Sequence, residues 1–142
     1  MSTSDENWAW QCDQVIASDT VVGRRMLDEL LGQLKSLRWS RHDIFSVHLA
    51  VDEALVNAHR HGNQLDPAKH IRFCCRASPK KVRVEITDEG PGFDPGKLPD
   101  PTDSAHLLRP CGRGVMLMRA FMSRVEFLNG GNHVVLEKEL GA

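Results

Sequence analysis

The sequence predicts an α+β fold, a two-layer sandwich with helices on one face of a mostly antiparallel sheet. Two observations carry this reading. The apolar period switches between two and about 3.6 along the chain, which gives the order β, α, α, β, β, long loop, α, β, β. Two strand-like runs also meet at each of two short turns, Ser78-Pro79-Lys80 and Gly130-Gly131. A length of 142 residues, with 41 % hydrophobic and 26 % charged side chains, suits one domain with a core of its own.

Each element has a local cause. Trp8, Trp10 and Cys12 alternate with Ala9, Gln11 and Asp13, the period of a first strand. Val22, Met26, Leu30, Leu34 and Leu37 then recur at helical spacing, with Ser18 or Asp19 as N-cap. A second helix starts at Ser40, and Asp43 completes an approximate capping box. Its apolar stripe is Ile44, Val47, Val51, Ala54, Leu55 and Ala58, and Gly62 is expected to end it in the left-handed conformation. Residues 69–77 and 81–88 read as strands. Five of the seven prolines fall in residues 90–111, so that stretch reads as a long irregular loop. Gly112 to about Met122 reads as a helix, and Arg124–Asn129 with His133–Leu140 as a closing hairpin.

Composition excludes several classes. Eighteen Lys and Arg against nineteen Asp and Glu leave a net charge of -1, without the basic surface that direct nucleic-acid binding needs. No apolar run approaches the roughly 20 residues of a membrane span. The start Ser2-Thr3-Ser4-Asp5-Glu6 is unlike a signal peptide, so a cytoplasmic location is expected. Cys12, Cys74, Cys75 and Cys111 contain no CxxC pair and read as reduced thiols rather than a zinc site. His59, His61 and His70 resemble a metal cluster only superficially.

Three groups of residues stand out chemically. Glu53 and Asn57 lie at i and i+4 on the second helix, about 40° apart, at the edge of its apolar stripe. A carboxylate and an amide there need partners, unless they belong to a solvated helix edge. Asp88 shares strand parity with Val82, Val84 and Ile86, on the core face. It is followed by Gly90 and Gly92, which permit a sharp turn and a close backbone approach to a ligand. Asp88 is therefore either an acceptor for a buried ligand donor or a turn aspartate bonding its own backbone. Gly112-Arg113-Gly114 opens a helix, where free N–H groups and the helix dipole favour an anion. Neither GxxxxGK[ST] nor a strand leading into GxGxxG is present, which removes the P-loop and dinucleotide-binding readings.

Taken together these runs resemble a known family. Glu53-Ala54-Leu55-Val56-Asn57-Ala58 with His61-Gly62-Asn63 resembles the N-box of the GHKL ATPase superfamily. Asp88-Glu89-Gly90-Pro91-Gly92 resembles its first glycine box, and Gly112-Arg113-Gly114 its second. The run Gly112–Val125 is most similar to anti-sigma-factor serine/threonine kinases of the RsbW and SpoIIAB type. The resemblance implies a Bergerat-type sandwich over 1–142, a single ATP-binding domain with an ATP lid at about 93–111. With 52 residues before Glu53 and 28 after Gly114, neither a phospho-acceptor hairpin nor a transducer domain is expected.

The resemblance also implies roles. ATP and Mg²⁺ are the expected cofactors, with Asn57 holding Mg²⁺ through its amide oxygen. Asp88 would accept from the adenine amino group, Gly90 and Gly92 would admit the base, and Gly112 and Gly114 would hold phosphates. Glu53 would be the general base toward a partner's serine. An arginine near the γ-phosphate is expected, and either Arg109 or Arg113 fits. The implied partners are a sigma factor and an anti-anti-sigma protein of STAS type, with a homodimer as the implied assembly. Two other functions stay open: a nucleotide-gated binding module without turnover, and a detached histidine-kinase-type ATPase domain.

Overall fold

The computed structural model describes residues 7–91 and 110–140, the side chains of 110–113 excepted. The chain runs β1 (Trp10–Ala17), α1 (Thr20–Ser36), α2 (Arg41–Asn57), a π-helical turn (Ala58–Gly62), β2 (His70–Ala77), β3 (Lys81–Thr87), α3 (Pro110–Phe121), β4 (Arg124–Leu128), a 3₁₀ turn (Asn129–Gly131) and β5 (His133–Glu139). The five strands lie in the order β1-β2-β3-β5-β4. All four pairings are antiparallel. The helices cover one face, so the predicted α+β sandwich is what forms.

The caps decide where the first helices begin. Asp19, not Ser18, caps α1, its carboxylate accepting the Val21 N–H at 2.7 Å. The Ser18 hydroxyl instead meets His59 Nδ1 at 2.8 Å and ties the β1 end to the π turn. At α2 the Ser40 hydroxyl accepts from the Asp43 N–H at 3.1 Å and donates to its carboxylate at 2.7 Å. Between the helices Trp39 is buried, and its ring N–H donates to the Ser78 carbonyl at 2.9 Å. That bond pins the helical layer to the β2–β3 turn.

Two faces meet in the core. Phe73 and Cys75 of β2, Val82, Val84 and Ile86 of β3, and Leu136 of β5 point inward from the sheet. Leu27, Leu30 and Leu34 of α1, Val47 and Val51 of α2, and Met118 of α3 meet them. Each large apolar side chain buried there contributes about 1.5–3 kcal/mol relative to exposure. Cys74 and Cys75 turn to opposite faces, as adjacent strand residues must. Burial pushes the Cys75 thiol well above its ordinary range. On the outer face Glu137 is 6 % exposed and gathers three cations, Arg124 at 3.2 Å and Lys81 and Arg83 each at 3.6 Å.

Three boundaries differ from the sequence reading. β1 starts at Trp10 and continues through Ala17, because eight consecutive pairs with β2 hold it. Helix α3 starts at Pro110, a residue suited to a first helical position, so Gly112 and Gly114 lie within the helix. Gly62 does not end α2 in the left-handed conformation. Positive φ falls at Gln64 (54°) and Leu65 (62°) instead. A π turn carries the chain through Gly62 and closes with the Asn63 N–H donating to the Ala58 carbonyl at 2.8 Å.

Candidate functional site

The sequence-selected residues gather in two groups, Glu53 and Asn57 against Gly114 where α2 faces α3, and Asp88 with Gly90 against Gly62 where the end of β3 faces the π turn. Glu53 and Asn57 occupy the last turns of α2. Gly114 of α3 faces both. A Cβ placed there would stand 3.0 Å from Glu53 Oε2, 3.0 Å from Asn57 Nδ2 and 3.4 Å from Asn57 Oδ1. The glycine therefore lets α3 approach closest over the two polar side chains of α2. The N–H groups of Cys111, Gly112 and Arg113 lie in the first turn of that helix, where a helix offers no carbonyl of its own.

Asn57 is the most unusual group here. Both ends of its amide are shut off from solvent, and neither has a hydrogen-bond partner among the described residues. An orphaned amide costs about 1–3 kcal/mol. Its oxygen is the hard donor that Mg²⁺ takes when phosphates supply the rest of the shell. The chemistry of the position therefore fits the expected ion. Among the described residues no group of three His, Cys, Asp or Glu side chains forms a metal cage.

Asp88 sits just past β3, its N–H donating to the Asn132 carbonyl at 2.9 Å. The turn reading is the one the structure shows. Oδ1 accepts the Gly90 N–H at 2.7 Å and closes an Asx turn, which leaves Oδ2 to take another donor. Burial raises the Asp88 carboxyl above its ordinary pKa, while the Gly90 N–H and the charge of Lys69 partly oppose the shift.

The glycines beside Asp88 are there for space. A Cβ on Gly62 would overlap the Asp88 carboxylate, and one on Gly90 would overlap the Gly62 carbonyl. The value of Gly62 thus lies in contact rather than in a left-handed cap. The π turn adds a residue to the last helical turn and brings Gly62 against Asp88. His61 is exposed, yet partial desolvation, followed by the charge of Arg60, lowers its pKa.

Two asparagines escaped the sequence reading as functional residues. Asn63 is 0 % exposed, and its side chain joins β2 to the Asp88 turn. The Asn132 amide donates to the Gly90 carbonyl at 3.3 Å from across the sheet. In sequence Asn132 is an ordinary turn residue after two glycines. Asn63 closes the run that resembles the N-box and received no role there, because nothing local reveals its burial. Gly92 and Arg109 lie outside the described residues, as does the expected lid from 93 to 109, whereas its last two positions, Pro110 and Cys111, already belong to α3. Gly112 and Arg113 are placed by their backbone alone.

The chain is similar to known proteins. Residues 18–138 match the model of the histidine kinase-like ATPase domain. The serine/threonine-protein kinase BtrW of Bordetella bronchiseptica is 32 % identical over 103 residues, which spans 70 % of this chain and 72 % of that protein. No helix among the described residues is long and apolar enough to cross a membrane. The chain belongs to the histidine kinase-like ATPase domain family.

Proposed function

We propose that this protein binds Mg-ATP and transfers the γ-phosphoryl group to a serine or threonine hydroxyl of a partner protein. The observation that carries this reading is the pairing beneath Gly114 of the Glu53 carboxylate with the orphaned Asn57 amide. The similarity to a named serine/threonine kinase supports it.

Asp88 accepts from the adenine amino group through Oδ2, and Gly90 leaves room for the ring. Asn57 holds Mg²⁺ through Oδ1, and the ion, once bound, neutralises phosphate charge. The first-turn N–H groups of α3, from Gly112 onward, bind phosphate oxygens, and the Gly114 backbone lies over Glu53 and Asn57. Arg109 or Arg113 serves the γ-phosphate, and Gly92, with Gly90, admits the base. Glu53 takes the proton of the attacking hydroxyl. The new O–P bond forms as the bond to the bridging oxygen breaks, and ADP leaves. A positioned base contributes about 10²–10⁴-fold to such a step.

The resemblance of Gly112–Val125 to anti-sigma-factor kinases extends the proposal. The client is a sigma factor, the phosphorylated partner is an anti-anti-sigma protein of STAS type, and the kinase works as a homodimer in the cytoplasm. Residues 1–142 form one domain with its lid at about 93–111. The test is capture of partners from native extract with Mg-ATP, followed by incubation with γ-labelled ATP. Acid-stable label on a partner serine or threonine is expected. Acid-labile label on histidine would overturn the reading in favour of a histidine-kinase-type domain. Partner capture without label would overturn it in favour of a nucleotide-gated binding module.

A further inference from the structure

The turn that carries Asp88 is tied at three successive backbone donors. The Asp88 N–H goes to the Asn132 carbonyl at 2.9 Å, and the Gly90 N–H goes to Asp88 Oδ1 at 2.7 Å. Between them the Glu89 N–H goes to Asn63 Oδ1 at 2.8 Å. Asn63 is fully buried and uses its other end as well, Nδ2 donating to the His70 carbonyl at 3.0 Å. Its backbone N–H closes the π turn onto Ala58, the residue after Asn57. One residue thus joins three pieces of the site: the end of the helix that bears Asn57, the start of β2, and the turn that bears Asp88.

We propose that Asn63 is the positioning residue for adenine recognition, fixing the Asp88 turn to the helical run that carries Asn57. The inference rests on the nucleotide reading above. The chemistry explains the residue type. The position needs one acceptor and one donor on a short planar group. Aspartate lacks the donor, leucine lacks both, and glutamine is one methylene longer at a fully buried position. Gly62 precedes it and touches the Asp88 carboxylate through its bare Cα, so a shift of Asn63 moves the contact that holds Asp88.

The test compares Mg-ADP with the Mg complex of inosine diphosphate, which carries a keto group in place of the 6-amino donor. Wild-type protein is expected to prefer ADP. Asn63→Ala is expected to narrow the ADP-to-IDP affinity ratio by about tenfold. Asn63→Asp keeps the acceptor for the Glu89 N–H but loses the donor to the His70 carbonyl, so it is expected to recover only part of the ratio. Partial unfolding lowers the competent fraction for both nucleotides alike and leaves the ratio unmoved, so the ratio separates positioning from stability. Should Asn63→Ala not fold, Asn63→Ser takes its place, since its hydroxyl is too short to span both partners; the same narrowing is expected. An unchanged ratio, with both affinities reduced together, would overturn the role of Asn63. A wild-type protein that binds neither nucleotide would overturn the nucleotide reading itself, before any variant is compared.

Discussion

Asn57 and Asn63 stand six positions apart on one helical run, and they treat their amides in opposite ways. Asn63 has both ends bonded to protein, one to the Glu89 N–H and one to the His70 carbonyl. Asn57 is closed to solvent at both ends, and neither finds a partner among the described residues. The difference separates the two ends of the site. The end around Asp88 is built and locked by the protein's own hydrogen bonds. The end around Asn57 holds an unmet demand that an oxygen-seeking cation and its phosphates would satisfy. A buried group left unpaired calls for an explanation, which the proposed Mg-ATP would supply at Asn57, whereas the fully paired Asn63 is explained by its protein partners.

The comparison can be broken at either end. The largest effect is expected from Glu53→Ala, which should slow phosphoryl transfer by about 10²–10⁴-fold. Single-turnover labelling of the partner measures this, while ADP affinity stays near the wild-type value. Equal rates would remove Glu53 from the chemistry. Next comes Asn63→Leu, which leaves two backbone groups unpaired in part-buried surroundings. It should lower the unfolding free energy by about 2 kcal/mol, read from urea denaturation.

The matching substitution at the other end should reverse the sign. Asn57→Leu replaces an orphaned amide by an apolar group of similar shape. It should raise nucleotide-free stability by about 1 kcal/mol. The same variant should lose the Mg²⁺-dependent part of ATP binding. If both leucine variants destabilise equally, the contrast between the two asparagines is false.

Much of this was legible in the sequence, though not evenly. The order of five strands and three helices followed from apolar period, because burial of one face imposes that period on each element. Asn57 stood out as a polar residue at the edge of an apolar stripe, and Asp88 as an acid on a core face. What was hidden depends on contacts between distant residues. Asn63 takes its meaning from His70 and Glu89, and Asn132 from Gly90, which lies 42 residues earlier. Gly62 invited a cap because glycines commonly end helices. Its actual role follows from the Asp88 carboxylate filling the space where a Cβ would be, and no local pattern reports that.

The smallest effect concerns pH. Burial holds the Asp88 carboxyl above its ordinary value of 3.8 in the folded protein. The charged form is therefore disfavoured by folding. Asp88 opposes stability at neutral pH, and that opposition is relieved as pH falls through the raised value. Binding moves the other way, because a protonated Asp88 no longer accepts from the adenine amino group. ADP affinity should fall on acidification before ordinary carboxylates titrate, and Asp88→Asn should flatten that dependence. Asp13 moves oppositely. Its hydrogen bond to Arg72 holds its carboxyl low, so its contribution to stability is lost only in stronger acid.

The central claim is that Asp88 and Asn57 clasp one adenine nucleotide between sheet and helix. Calorimetric titration of Mg-ADP into the purified protein tests it most directly, with Asp88→Asn alongside. The account predicts one site per chain in the wild type and at least about tenfold weaker binding in the variant. A folded wild-type protein that releases no heat, or a variant that binds as tightly as the wild type, would contradict it.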